Sequence, residues 1–337
     1  MSFDYASKWG ILFNGDKLSL DDILSFARQA EDAGAESIWT AELWRDAFVP
    51  LTAIASVVQT VRLAQSSLVP VVVVFTVVVV GAVVVVVLFP GAVHTQSIGT
   101  DRPDFVESSS TVGARNLQVE GAVAFDHSSV PGLDVDNITT PLLLRVGIAD
   151  SWELRLESNW LISSGVTDTA TGGEKLSKTG VSDLDLGVKW AFHASDGAGP
   201  SMAALVHAVL PTGSDDFRGK GMRPSLRVTM EWALGRTWDI GVMPGILCDR
   251  DDLGSFASGI LALAVGKGLT DRFGTFAEVA FEQISEKQRG SSVAFVAFGA
   301  TLLLNDYWQL DTAVAVGLTD QSPDYGLTLG LSGLFGW

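Results

Sequence analysis

The sequence predicts a mainly β protein. Its bulk reads as an antiparallel, outer-membrane-type β-barrel of about twelve strands, preceded by a short incomplete βα fragment and a Val-rich apolar segment. Three observations predict this. From about residue 98 onward, apolar and polar side chains alternate in runs of strand length. Tight turns alternate with longer polar connections between those runs. Ahead of them, Leu68 to Pro90 is a Val-rich run, and no Asp, Glu, Lys or Arg lies between Arg62 and Asp101. The expected divisions are 1–67 as a partial βα fragment, 68–97 as a Val-rich leader or transmembrane-like segment, and 98–337 as the barrel.

Composition narrows the function. The 337 residues carry a formal net charge of −17 and no Lys/Arg cluster, which excludes a nucleic-acid partner. The mean hydropathy of +0.31 is high for a soluble chain. One cysteine, Cys248, rules out an intrachain disulfide framework and a cysteine-rich metal site. Residues 1–20 lack both the basic start and the continuous apolar core of a signal peptide.

In the first segment, Trp9 to Phe13 reads as a short buried strand. Ser19 suits a helix N-cap, with Asp21 and Asp22 in the first turn, where the helix dipole favours acids. Leu20, Ile23, Leu24, Ala27 and Ala30 follow at helical spacing, and Gly34 ends the helix. Ser37 to Thr40 is a second strand, Phe48 to Val61 a second helix, and Arg62 to Val69 opens a third strand. Alternating strands and helices imply parallel βα units. Trp9 to Phe13, Ala30 to Trp39, Glu42, Pro50 to Ala55 and Val61 to Ala64 resemble the start of luciferase-like flavin monooxygenases, a TIM-barrel family. That fold needs eight βα units. Only two and the start of a third are present, so the resemblance implies a fragment without a flavin site.

Several readings stay open for residues 68–90. As a helix the run is long enough to cross a bilayer. As a signal-peptide core it is overlong, and the following Gly91 to Ser97 holds no good cleavage pattern. As strands it is equally natural, because valine favours β structure and Pro70, Gly81 and Pro90 punctuate it. A join between two unrelated reading frames would also produce it. An uncleaved spanning helix here would oppose barrel insertion, so residues 1 to about 97 are expected to be absent from the mature barrel.

The array that follows is expected to hold strands near 113–126, 139–148, 151–162, 181–193, 200–211, 224–234, 237–248, 256–267, 272–284, 291–304, 307–318 and 325–337. Tight turns are expected at Ala149-Asp150, Gly235-Arg236, Gly268 to Asp271 and Asn305-Asp306, and longer polar loops at 127–138, 163–180, 212–223 and 249–255. Trp152, Trp190, Trp232, Trp238 and Trp308 fall near strand ends, as an aromatic girdle does. A soluble all-β fold would also alternate. The mixed-sign polar faces and the girdle favour the membrane.

Ile98 to Phe105, Leu144 to Arg155, Gly180 to Lys189 and Leu210 to Gly213 resemble a family of outer-membrane transporters associated with the meta-pathway of phenol degradation, and the resemblance runs from about 98 to the end. It implies a barrel in the bacterial outer membrane, in contact with outer-membrane lipid, and leaves the solute unknown. The closing strand, ending in Trp337, resembles the signal read by the barrel assembly machinery.

No catalytic constellation, cofactor site or metal site is expected. The four histidines show no metal-ligand spacing, and no Gly-x-Ser-x-Gly occurs. The informative set is the row expected to face inward: Glu120, Arg145, Glu153, Arg155, Glu157, Asp183, Asp185, Lys189, His207, Arg227, Glu231, Asp239, Glu278, Glu282 and Asp311. In an open pore such a row sets selectivity. In a narrow one the same groups pair and hold the lumen shut, and twelve strands lie between filled and open barrels. The leading expectation is a barrel that passes or binds small solutes, with aromatic compounds as one candidate class. The alternatives are a flavin-dependent oxidoreductase carried by the first segment and a purely structural envelope barrel.

Overall fold

The computed structural model describes residues 97–336 apart from 170–172, 174, 196, 252 and 287–290. Of the first 96 residues it describes 10–13, 25, 29, 37–40, 62–65, 73–79 and 82–88. The chain divides into two compact units, Met1–Ala92 and Val93–Trp337.

In the first unit, β1 (Gly10–Phe13), β2 (Ser37–Thr40) and β3 (Arg62–Gln65) form a parallel sheet in that order, with Gly10 opposite Ser37 and Ser37 opposite Arg62. Parallel neighbours are what βα units produce. Ser25 and Gln29 are helical and share a side-chain hydrogen bond of 3.1 Å. Ser19, Gly34, Glu42 and the expected helix at 48–61 lie outside the described residues. The Val-rich run forms an antiparallel hairpin of β4 (Val73–Val79) and β5 (Ala82–Leu88), from Val73 opposite Leu88 to Val79 opposite Ala82. The strand reading therefore describes it. Branching at Cβ restricts valine in a helix and suits it to a pleated sheet. Among the described residues no helix is long and apolar enough to cross a membrane, which says nothing of a β-barrel.

The second unit holds fifteen strand pieces in one antiparallel sheet. They are β6 (Asn116–Val130), β7 (Leu133–Thr139), β8 (Leu142–Ala149), β9 (Trp152–Ser158), β10 (Leu161–Asp168), β11 (Lys175–Val181), β12 (Leu184–His193) and β13 (Ser201–Leu210), then β14 (Arg223–Leu234), β15 (Trp238–Asp251), β16 (Gly254–Gly268), β17 (Phe273–Ile284), β18 (Val293–Asn305), β19 (Trp308–Gly317) and β20 (Tyr325–Gly336). Three pairs of pieces are single strands with an interruption. Val130 pairs with Leu133 and Gly121 with Leu142 in one unbroken register, so β7 and β8 continue each other across Thr140 and Pro141. Proline lacks the N–H the ladder needs there. Leu161 opposite Val181 and Glu157 opposite Asp185 likewise make β11 and β12 one strand. Between β9 and β10 the register slips by one residue, a bulge carrying Trp160 at a φ of 44°. The result is a barrel of twelve strands, closed where β20 pairs with β6 from Tyr325 opposite His127 to Gly336 opposite Asn116.

The number of strands agrees with the alternation, but three expected long loops do not survive as loops. Residues 127–138 are the ends of β6 and β7 around a turn at Pro131 and Gly132; 163–180 is mostly β10 and β11; 249–255 contains the ends of β15 and β16. These stretches are rich in Asp, Ser, Thr and Gly, which favour turns, and the alternation of Leu133 and Val135 with Asp134 and Asp136 is too short to stand out as strand. Residues 211–222 do form a loop. Trp337 and His94 lie outside the described residues.

Outward positions form the lipid face. Val206, Leu226, Ile246, Phe298, Val314, Leu327 and Leu329 are exposed, as a lipid-facing band requires. Trp152, Trp190 and Trp238 are exposed at the short-turn ends of their strands, and Trp152 stacks on Trp190 at 5.3 Å. Leu329 is 63% exposed in the middle of β20. A Leu329→Arg change is expected to destabilise the folded barrel by about 2–4 kcal/mol, measured by urea unfolding from vesicles.

Candidate functional site

The interior side chains divide into two walls. On β15, β16 and β17, Met243, Ala262, Ala264 and Ala280 are small or apolar and buried. On β8, β9 and β12, Arg145, Glu153, Arg155 and Lys189 are buried and charged. Alternation places each set inward, because its neighbours in sequence face lipid.

A segment that belongs to no strand, residues 98–115, fills the space between the walls. It enters at the short-turn rim, where Ile98 N–H donates to Asp306 O at 2.7 Å, and returns to that rim, where Thr111 Oγ1 donates to Asp150 O at 2.6 Å. In between it matches each wall in turn. The Asp101 carboxylate lies 2.5 Å from Arg155 Nη1, 2.7 Å from Lys189 Nζ and 3.5 Å from Arg145 Nε. Glu120 accepts the N–H groups of Asp101 and Arg102, both at 3.1 Å. Arg102 reaches Asp311 at 3.3 Å. On the apolar side Phe105 meets Phe295 edge-on at 6.3 Å, and Val106 packs on Met243, Ala262 and Ala280. The backbone N–H groups of Phe105 and Val106 are satisfied there by one carboxylate, Glu278, at 2.9 and 2.8 Å. Glu107 then bridges Arg227 and Arg155, each at 2.8 Å, and Glu231 accepts Ser109 N–H at 2.5 Å. A buried charge is tolerable only when paired and hydrogen-bonded; the wall charges pair in part with one another, as Arg145 does with Glu153 at 2.9 Å, and the segment adds Asp101 and Glu107 as further partners.

Nine of the residues expected to face the lumen meet this segment: Glu120, Arg145, Glu153, Arg155, Lys189, Arg227, Glu231, Glu278 and Asp311. Glu157 pairs with Arg155 at 2.7 Å, and Asp185 with His207 at 3.0 Å. Asp183 binds the 211–222 loop. Asp239 lies against Gly266 near the short-turn end of β15, and Glu282 lies farther out on β17 than Glu278. Sequence reasoning missed Asp101, Arg102, Glu107 and Arg223 as partners of this row. The available signal was a charged, Ser-rich stretch with no alternation directly ahead of the first strand.

His207 has acidic neighbours that sequence spacing did not reveal. One ligand atom each from Glu107, Glu157 and His207 lies within 4.8 Å of the others. A guanidinium already stands between the two carboxylates, since Arg155 Nη2 is 2.8 Å from Glu107 and 2.7 Å from Glu157. The set is therefore neutralised by an arginine, and it does not fit a metal ion without displacing it.

Close backbone approach fixes the segment. A Cβ on Gly147 would sit 1.7 Å from Gly113 O. A Gly147→Val change is expected to prevent the 112–115 stretch from seating and to raise protease cleavage within 98–115 severalfold, while the barrel keeps its heat-modifiable mobility.

On the outer side of the segment is a cavity of about 490 Å³. Phe105, Phe217, Pro141, Leu142, Leu143, Ile162 and Val209 give it apolar surface; Asp101, Asp104, Glu157, Arg223 and Arg227 are among its polar lining. Its volume falls in the range of small-molecule sites, about 300–1,000 Å³, but fourteen of its twenty-one lining residues are polar or charged, more than such sites usually carry.

Residues 100–335 match the family described as "Putative MetA-pathway of phenol degradation", and residues 1–86 match "Luciferase-like monooxygenase". The second match extends into the Val-rich hairpin. The fold is similar to that of an outer-membrane channel from Pseudomonas putida F1, with a TM-score of 0.50 and 14% identity over 67% of this chain and 98% of that one. The NanC porin (TM-score 0.41, 12% identity, 64% of this chain and 98% of that one) is also similar. So is the CymD monoaromatic hydrocarbon channel (TM-score 0.37, 6% identity, 67% and 89%). No curated protein matches. The barrel is that of a bacterial outer-membrane protein, with its outward face in lipid.

Proposed function

The chain belongs to the family described as "Putative MetA-pathway of phenol degradation", and from that premise we propose that its barrel is an outer-membrane conduit for small aromatic solutes, held shut at its inner end by residues 98–115. The observation that carries this reading is the cavity. It lies against the inserted segment, and two aromatic rings, Phe105 and Phe217, contribute to its lining. A solute that rests there has reached the segment but not passed it. The lumen-facing charges then act mainly on the segment, and a solute meets them only when the segment moves.

Two further readings belong with this proposal. The working unit is the barrel from about 98 onward, and assembly uses the strand that ends at Trp337 as its recognition signal. N-terminal sequencing of a heat-modifiable outer-membrane fraction checks the first.

Equilibrium dialysis of the purified full chain against labelled phenol tests the function. Saturable binding is expected, stronger than for cyclohexanol of similar size, and weakened by Leu143→Glu in the cavity wall. A folded barrel that binds no small aromatic compound saturably would sink the proposal.

A further inference from the structure

We infer that Asp183 is a positioning residue that folds the 211–222 loop over the cavity, and that Phe217, carried by that loop, is a specificity-determining side chain at the outer approach. The inference rests on the transport reading above and adds a second, outer closure to it.

The starting point is an unequal pair of strand lengths. β13 stops at Leu210, opposite Leu184, whereas its neighbour β12 continues outward as β11 to Lys175. β11 pairs with β10 on one side and is the last strand of the sheet on the other. An unpaired edge leaves N–H and C=O groups without partners. The loop takes that place in part. Ser214 N–H donates to Val181 O at 3.0 Å, Val181 N–H donates to Ser214 Oγ at 3.0 Å, and Leu184 N–H donates to Thr212 Oγ1 at 2.9 Å.

One carboxylate gathers the two ends of the loop. Asp183 Oδ1 accepts Gly213 N–H at 2.8 Å; Oδ2 accepts Gly219 N–H at 2.9 Å and Arg223 Nη2 at 2.7 Å. Asp183 is 8% exposed. Hydrogen bonds to a buried charge are the strong kind. Two of the donors are main-chain amides that no other residue of the loop satisfies in this arrangement. The clamp is thus specific to one folded-in position of the loop.

That position sets Phe217. Its ring lies over Gly180, where a Cβ would come within 2.8 Å of it and within 2.0 Å of Ser214 Oγ. Only a residue without a side chain lets the loop lie so close. The same ring lines the cavity. Asp216, beside it, pairs with Lys178 on β11. The aromatic surface is therefore held over the site by contacts with β11 and β12, none of which involves the inner segment.

Cysteine accessibility tests the closure without any solute. In a Cys248→Ser background, Val209→Cys places a thiol in the cavity lining. Its reaction with a membrane-impermeant maleimide is followed in outer membranes of cells making the full chain. Asp183→Ala is expected to speed labelling about tenfold, the scale of losing one strong charged hydrogen bond, and Gly180→Val, whose side chain would overlap Ser214 and Phe217, is expected to speed it as well. Unchanged rates in both variants, with heat-modifiable barrels, would overturn the closure. Phe217→Leu tests specificity in the purified chain. Weaker binding of phenol by about threefold, with cyclohexanol unaffected, is the expected split for loss of an aromatic contact. An equal loss for both compounds would make Phe217 a space-filler and overturn its role. Labelling does not depend on phenol, so failure of the transport proposal leaves the loop result readable.

Discussion

Asp101→Ala is expected to open the barrel. Its carboxylate is the point on the inserted segment where Arg145, Arg155 and Lys189 converge, and all three cations are almost completely buried. Removing one partner of a buried charge set costs about 3–5 kcal/mol, because the remaining charges are left uncompensated. Here the protein can escape that cost by releasing the segment and admitting water. A loss of that size shifts a closed-to-open ratio by about two to four orders of magnitude. Planar-bilayer recordings of the purified chain should show rare, small openings in the wild type and sustained, larger conductance in the variant. Glu107, Glu278 and Asp311 still hold their parts of the segment, so Asp101→Ala with Glu278→Ala should open further than either change alone. A wild-type conductance record from Asp101→Ala would show that the segment is not the barrier.

The same residue gives the pH dependence a sign. Burial alone would raise the Asp101 carboxyl, but Arg145, Lys189 and Arg155 outweigh it and hold it well below the usual carboxylate range. A carboxyl depressed in the closed state stabilises that state at every pH above its ordinary value, near 4. That contribution is lost as pH falls through the depressed value. The wild-type channel should therefore stay shut from neutral pH to about pH 4 and open only in stronger acid.

The second large effect is on stability. Arg145 donates to Glu153 at 2.9 and 3.1 Å, to Glu120 at 3.2 Å, and to the carbonyls of Gly99 and Ser110 at 2.9 and 3.0 Å. Unlike Asp101, it stands on a wall strand, and its partners Glu120 and Glu153 stand on the two strands that flank β8. Moving the segment does not separate these groups. Arg145→Ala should lower the free energy of urea unfolding by about 3–5 kcal/mol. Arg145→Lys should recover part of that loss, because it restores the charge but not the two-pronged contact with Glu153. A change under about 1 kcal/mol would mean that water already compensates the cluster.

How much of this was legible follows from the range of the signals. A strand with one face in lipid and the other in the lumen writes a two-residue period into the chain, and Leu184, Leu186, Val188 and Trp190 against Asp185, Gly187 and Lys189 are enough to read it. Where turn-forming residues crowd a strand end the period is short and masked by composition, and Asp134, Asp136 and Asn137 or Ser163 and Ser164 look like loop. The inward charges were legible for the same reason as the strands. Their partners were not. Arg102 finds Asp311 and Thr328 more than 200 residues away, and nothing local in Asp101 to Ser110 announces that they lie inside a barrel formed later in the chain. The structure combines wall-to-wall pairs with an inserted segment, and only the first was legible in the strands themselves.

The route of the segment has a mechanical consequence. Its two ends are fastened at the same rim, at Asp306 and at Asp150. It therefore bends into the barrel and back, as a finger enters a ring, and does not thread from one mouth to the other. Such a stopper can be withdrawn and reseated while every rung of the β6–β20 seam stays joined. Tension on the chain ahead of Ile98 acts first on the Ile98–Asp306 contact and then on Asp101, so a pull peels the contacts in order from one end.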